Sequence, residues 1–68
     1  MQLRDYFHTY RIKKQDFARK IGYSIAYIGK VSEYLKKPSL RMAQTIESAT
    51  NGEVSVDEIL NAEYKKQI

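Results

Sequence analysis

Cationic side chains are concentrated in one stretch of this chain of 68 residues. Residues 11–41 contain nine Lys and Arg against two Asp and Glu, whereas residues 42–68 contain two cationic and five acidic side chains. A cluster of Lys and Arg attracts polyanions electrostatically and can form ion pairs with phosphate groups. The charge pattern is therefore compatible with a nucleic acid as partner of residues 11–41, and an ordinary solvated basic surface is the competing interpretation.

Side chains suited to catalysis or metal binding are few. The chain has no Cys and a single His, His8, which excludes thiolate sites and the usual His clusters around a metal ion. Its three glycines stand far apart, so no Gly-rich phosphate loop is present. We therefore expect no enzymatic activity, no metal, no cofactor and no small-molecule substrate.

The chain also has no long apolar segment and no signal-peptide pattern. The absence of Cys fits a reducing compartment. We therefore expect a soluble, cytoplasmic protein without a membrane span.

Apolar residues recur with a helical period along most of the chain, which predicts an all-α fold of five short helices in one domain. Helices are expected over about residues 2–10 and 14–21, from Ser24 towards Pro38, from Ser39 to Asn51-Gly52, and from Ser55 onward. The expected inner residues are, helix by helix, Leu3, Phe7 and Tyr10; Phe17, Ala18 and Ile21; Ile28 and Val31; Leu40, Ala43 and Ile46; and Ile59 and Leu60.

A short strand is a local alternative around residues 53–56, where Val54 and Val56 alternate with polar residues. Ser55, followed three residues later by Glu58, has the pattern of a capping box at the start of a helix. We therefore favour a helix in this segment.

A short turn at Gly22 joins the second and third predicted helices. Ala18 stands four residues before Gly22, and Ile28 and Val31 stand six and nine residues after it. A small residue at 18 lets two helices cross closely, and a glycine can adopt the positive φ that a tight turn requires. The spacing predicts a helix-turn-helix over about residues 14–33, in which the outer face of the third helix is free to enter a DNA major groove.

This pattern resembles the helix-turn-helix of the phage Cro and cI repressors, often called the XRE family. The resemblance lies in residues 14–24, Lys-Gln-Asp-Phe-Ala-Arg-Lys-Ile-Gly-Tyr-Ser, and in residues 36–40, Lys-Lys-Pro-Ser-Leu. Residues 38–46, 51–52 and 54–60 are similar to small Cro-like and YdaS-like prophage regulators. The resemblance implies a five-helix, lambda-repressor-like bundle. It also implies a homodimeric regulator, located in the bacterial cytoplasm, that binds a pseudo-palindromic operator in double-stranded DNA.

By this resemblance, five residues at the start and along the outer face of the third helix would contact base edges. They are Ser24, Ile25, Ala26, Gly29 and Lys30. Lys30 is suited to a hydrogen bond with guanine O6 or N7, and Ile25 and Ala26 are suited to thymine methyl groups. A core position is the competing interpretation of Ile25. Gly29 would be explained either by close approach of DNA or by close packing inside the protein.

A second set of residues would bind the phosphate backbone on both sides of that helix. Its members are Lys14, Gln15, Tyr27, Lys36, Lys37, Ser39 and Arg41. The family commonly has Gln at the position of Lys14, and often has Gly soon after the third helix, where this chain has Tyr34 and Leu35. We therefore expect the third helix to run longer, towards Pro38.

Other functions and folds compete with this interpretation. A protein-interaction module, such as an antitoxin or an anti-repressor, can use the same bundle, and binding of structured RNA is a third hypothesis. Tyr6, Tyr10 and Tyr23 could stack on single-stranded nucleic acid, although core or core-edge positions are favoured for them. Some Cro proteins end in a β-hairpin, which the apolar stripe of the fourth helix argues against.

Two surfaces are candidates for the expected homodimer interface. One is the acidic C-terminal half with its apolar Tyr64 and Ile68, and the other contains Tyr34 and Leu35. The sequence does not distinguish between them.

Overall fold

The computed structural model describes residues 1–65, in which it contains five α-helices and no strand. The helices are α1 (Leu3–Tyr10), α2 (Lys14–Ile21), α3 (Ile25–Ser32), α4 (Leu40–Ala49) and α5 (Val56–Leu60). The prediction of an all-α bundle of five helices is thus confirmed. None of these helices is long and apolar enough to cross a membrane.

Serine is the N-cap residue of three of the five helices. The hydroxyls of Ser24 and Ser39 each accept a hydrogen bond from a backbone N–H three residues later, at 3.1 and 3.2 Å. At α5 the Ser55 hydroxyl accepts from the Glu58 N–H, and the Glu58 carboxylate accepts from the Ser55 N–H. This capping box is the one predicted from the sequence, and it forms in place of the alternative strand.

The end of α3 differs from the prediction. The helix ends at Ser32 because Tyr34 adopts a left-handed conformation with φ of +62°. The N–H of Tyr34 donates to the carbonyl of Val31 at 3.2 Å, and the N–H of Leu35 donates to the carbonyl of Lys30 at 2.8 Å. This pair of hydrogen bonds is a Schellman motif, in which glycine normally occupies the left-handed position. Residues 33–39 therefore form a loop rather than an extension of the helix.

The apolar core contains residues from every helix and from the segment before α5. Its members are Leu3, Phe7, Phe17, Ala18, Ile28, Val31, Met42, Ala43, Ile46, Val54 and Ile59. The rings of Phe7 and Phe17 pack edge to face with centroids 5.2 Å apart, which joins α1 to α2. Most of the predicted inner residues are confirmed by their burial.

The prediction of an inner position is wrong for Tyr10 and Leu40, whose exposed fractions are 49% and 55%. Tyr10 is the last residue of α1, and its ring lies against Tyr6 with centroids 5.1 Å apart. Leu40 is the first residue of α4, whose core-facing side is formed by Met42 and Ile46. A side chain at a helix end can follow the apolar period and still lie beyond the neighbouring helices, where it is exposed to solvent.

Residues 61–65 return to the end of α3. The N–H of Lys65 donates to the carbonyl of Tyr34 at 2.7 Å, and the hydroxyl of Tyr64 donates to the carbonyl of Ile59 at 2.8 Å. The rings of Tyr34 and Tyr64 pack against each other with centroids 5.9 Å apart. Two residues named for alternative dimer surfaces thus contact each other within one chain. Ile68, also named for such a surface, lies outside the described residues.

Thr50 ties the end of α4 to the segment that precedes α5. Its side chain is buried, and its hydroxyl donates to the carbonyl of Ile46 at 2.9 Å and accepts from the N–H of Val54 at 3.1 Å. Without this acceptor the buried N–H of Val54 would lose the hydrogen bond that compensates for its removal from water.

The variant Thr50→Val keeps the shape of the side chain and removes the hydroxyl. We expect the free energy of unfolding to fall by about 1–3 kcal/mol, which is the cost of a buried polar group without a partner. Urea unfolding followed by circular dichroism measures this change. Thr45→Val is the matched control, because the Thr45 hydroxyl donates to the carbonyl of Arg41 at an exposed position. Equal effects of the two substitutions would contradict the role given to Thr50.

Candidate nucleic-acid interface

α3 is attached to the rest of the protein by one side only. Ile28, Val31 and Ser32 are at most 2% exposed, and the Ser32 hydroxyl donates to the carbonyl of Gly29 at 3.0 Å. Ala18 of α2 is also buried, and its small side chain permits a close approach of α2 and α3. Successive residues of an α-helix are about 100° apart, so the side opposite to Ile28, Val31 and Ser32 carries residues 26 and 30.

The outer side of α3 is open to solvent. Ala26 and Lys30 on this side are exposed, and so are Ser24 and Ile25 at the start of the helix. Ile25 is 54% exposed, so the competing core interpretation of this residue is wrong. The Lys30 ammonium group has neither an ion pair nor a hydrogen bond within residues 1–65. An unpaired donor therefore stands among small and apolar side chains on an accessible helix surface.

Gly29 lies in the middle of α3, at a position where the fold does not require glycine. A Cβ atom placed on it would meet no atom of the described chain within 4 Å, so close packing within residues 1–65 is not the explanation. Its backbone is helical rather than left-handed. Glycine in a helix interior costs about 1 kcal/mol relative to alanine. Of the two explanations offered for Gly29, close packing inside the protein and close approach of another molecule, the second is the one that remains as a hypothesis.

Most of the residues predicted to bind phosphate are exposed and lie before or after α3 along the chain. Lys36, Lys37, Ser39 and Arg41 belong to the loop 33–39 and the start of α4, and Gln15 lies in the first turn of α2. The Ser39 hydroxyl accepts the capping hydrogen bond of α4, and its proton is still available to an acceptor. Cationic side chains thus follow α3 along the chain, and a polar one precedes it on α2.

Lys14, which was predicted to bind phosphate, forms an ion pair with Glu33, with Nζ and Oε1 3.2 Å apart. Hydrogen bonding and attraction by Lys14 lower the pKa of the Glu33 carboxyl, and Arg4 and Lys65 contribute in the same direction. Both partners are partly exposed, so the pair adds little to stability. It joins the start of α2 to the end of α3.

Glu33 was missed by the sequence analysis. It directly follows α3, three residues after Lys30 and four after Gly29, so the helical spacing of the outer face extends to it. That spacing is the signal by which it could have been found. A carboxylate at this place repels phosphate groups and competes with them for Lys14.

Tyr23, Tyr27 and Lys36 form a second feature beside α3, which we call the tyrosine–lysine stack. The two rings are stacked with centroids 5.6 Å apart and an interplanar angle of 29°. The Lys36 Nζ atom lies 5.2 Å from the centroid of the Tyr27 ring. Burial raises the pKa of Tyr27, and Tyr23 adds to this effect, so the Tyr27 hydroxyl stays protonated at neutral pH. Tyr23 is 39% exposed and not a core residue.

In comparisons with protein-family models, curated proteins and solved structures, this chain matches none. A functional hypothesis for it therefore depends on the geometry of α3 and of the charges around it. That geometry combines an exposed helix face, an unpaired Lys30 and several exposed cations in the adjoining loop.

Proposed function

We propose that this protein is a sequence-specific transcriptional regulator that binds double-stranded DNA with α3 in the major groove. In this proposal α2, the turn at Gly22 and α3 are a helix-turn-helix of the Cro and cI (XRE-like) type within a lambda-repressor-like bundle. The protein acts as a homodimer on a pseudo-palindromic operator in the bacterial cytoplasm. The observation that carries the proposal is the attachment of α3 by one side, which leaves Ala26 and Lys30 exposed on the other, with Ile25 exposed in the first turn.

The dimensions of α3 suit a major groove. An α-helix with its side chains is about 10–12 Å in diameter, and a B-DNA major groove about 12 Å wide admits it. In proteins of this type the residues at the start of the recognition helix, here Ser24 to Ala26, contact base edges. Lys30 lies one turn further along the same side and can donate to guanine, while Ile25 and Ala26 can contact thymine methyl groups.

The exposed cations around α3 supply the contacts to the backbone. Lys36, Lys37 and Arg41 lie after α3, and they can pair with phosphates whatever the base sequence. Ser39 adds a hydroxyl donor, and Gln15 adds an amide at the start of α2. Lys14 can add a phosphate contact only when its ion pair with the Glu33 carboxylate breaks and a phosphate takes the place of that carboxylate.

Replacing Lys30 separates contacts to bases from contacts to phosphates. A site is first selected from random duplex DNA with the wild-type protein, and its affinity is compared with that of a random-sequence duplex. We expect Lys30→Ala to reduce discrimination by about 1–3 kcal/mol at one base position, because a specific donor is lost. Lys37→Ala should weaken binding to both duplexes alike and reduce the slope of log affinity against log salt by about 0.9.

Lys20→Ala is the control for these two lysine variants. The Lys20 ammonium group donates to the carbonyl of Ala49 at the far end of α4, at 3.2 Å, so its loss should change neither discrimination nor the salt slope. A wild-type protein that binds no duplex, or all duplexes equally, would contradict the proposal. A Lys30→Ala variant with unchanged discrimination would contradict the role given to α3.

Gly29 provides a test in which stability and binding change in opposite directions. We expect Gly29→Ala to raise the free energy of unfolding by about 0.5–1 kcal/mol, because alanine favours a helix and the site has room for a Cβ. The same variant should bind the selected duplex more weakly, and Gly29→Leu more weakly still, because the added atoms stand between α3 and the groove. Urea unfolding and fluorescence anisotropy measure the two effects.

Gly52→Ala serves as the opposite case. Gly52 has a φ of +83°, so alanine there should destabilise the fold while leaving the affinity of the folded protein unchanged. If Gly29→Leu binds the selected duplex as well as the wild type, then DNA does not approach α3 at this residue.

Removal of the Glu33 charge should strengthen binding to every duplex. In Glu33→Gln the Lys14 ammonium group is released to pair with a phosphate, and a repulsive carboxylate is lost. We expect a salt slope steeper by about 0.9 for one added phosphate contact, with discrimination unchanged. Asp57→Asn, which removes an exposed acid from α5, is the charge-matched control and should have a smaller effect. Weaker binding by Glu33→Gln would indicate that Glu33 contributes a favourable contact to DNA.

A further inference from the structure

The tyrosine–lysine stack links three separate segments around α3. Tyr23 belongs to the turn between α2 and α3, Tyr27 to α3 itself, and Lys36 to the loop 33–39. The Lys36 ammonium group forms no ion pair and no hydrogen bond within residues 1–65. The ring of Tyr27 is therefore what orients this cation.

The stack borders the outer side of α3. Tyr27 follows Ala26 and stands three residues before Lys30, so its ring leaves the helix on the flank of the exposed side. The ring is half-buried, whereas Lys36 is exposed. The Lys36 ammonium group, 5.2 Å from the ring centroid, is within the range of a cation–π interaction. The cation is thus held beside the helix that we place in the groove.

A free lysine on a loop loses rotamer freedom when it binds a phosphate, and this loss weakens the contact. A lysine already held against an aromatic ring has lost part of that freedom in the unbound protein. The stacking of Tyr23 on Tyr27 restricts the ring in turn, with the two centroids 5.6 Å apart. Each member of the stack limits the motion of the next one.

We propose that the tyrosine–lysine stack is a preorganised phosphate clamp, in which the rings of Tyr23 and Tyr27 hold the Lys36 ammonium group in place for one backbone phosphate of a duplex. This inference rests on the proposed function, because the phosphate belongs to the DNA bound by α3. Tyr23 is a positioning residue that acts through Tyr27. The ring of Tyr27, rather than its hydroxyl, is the part that supports Lys36.

A double-mutant cycle on Tyr27 and Lys36 tests the clamp. Affinities are measured for the selected site and for a random-sequence duplex at several salt concentrations. Lys36→Ala should weaken binding to both and reduce the salt slope by about 0.9. Tyr27→Leu should weaken both by about two- to fivefold, the equivalent of an exposed cation–π contact. In the Lys36→Ala background, Tyr27→Leu should have no further effect.

Two other variants separate the ring from the hydroxyl and from the stability of α3. Tyr27→Phe retains the ring, so it should bind like the wild type. Tyr23→Ala should weaken binding about twofold, the low end for such a contact, only while Lys36 is present. Urea unfolding shows which variants remain folded at the assay temperature, and Tyr23→Ala tests the clamp even if Tyr27→Leu does not fold.

The outcomes distinguish this inference from the proposed function. Additive effects of Tyr27→Leu and Lys36→Ala, or a loss in Tyr27→Phe as large as in Tyr27→Leu, would overturn the clamp. If the clamp is overturned in this way, the proposed function still stands, provided that the wild type binds duplex DNA with a sequence preference and that Lys30→Ala removes this preference. Failure of the wild type to bind any duplex would overturn both.

Discussion

The attachment of α3 by a single side is the constraint on which the rest of the molecule depends. Ile28 is fully buried and Val31 nearly so, and the buried Ala18 lets α2 lie close beneath them. Because these contacts suffice to hold an eight-residue helix, the residues on its other side take no part in packing. Their side chains, above all Lys30, are therefore free to be selected for a partner. In the proposed function, stability and recognition are therefore assigned to opposite sides of one helix.

The loop after α3 depends on a strained residue. A non-glycine residue with a φ of +62°, as at Tyr34, costs on the order of 1 kcal/mol. The Schellman hydrogen bonds, the ring of Tyr64 and the N–H of Lys65 all stabilise this conformation. Ending α3 at this point directs residues 33–39 back along the helix, where Lys36 meets Tyr27. The C-terminal segment thus contributes to the candidate interface without being part of it.

Local chemistry predicted the helices, whereas contacts between individual side chains far apart along the chain could not be predicted. Serine caps and helical periodicity gave boundaries close to the observed ones, since both depend on neighbours along the chain. Periodicity failed for Tyr10 and Leu40, because it does not tell whether a helix end still has a neighbour. The end of α3 was misplaced because tyrosine rarely takes the position of glycine. The pair of Lys14 and Glu33 joins residues 19 apart, and only the folded chain brings them together.

An NMR titration of the labelled protein with a selected duplex tests the central claim most directly. Amide chemical shifts report on every backbone N–H at once, so they map the contact surface without any substitution. If α3 enters the groove, the largest changes should fall on residues 24–30 and on residues 33–41, with little change in α5. Changes centred on α5 and residues 61–65, or no change at saturating duplex, would contradict the account.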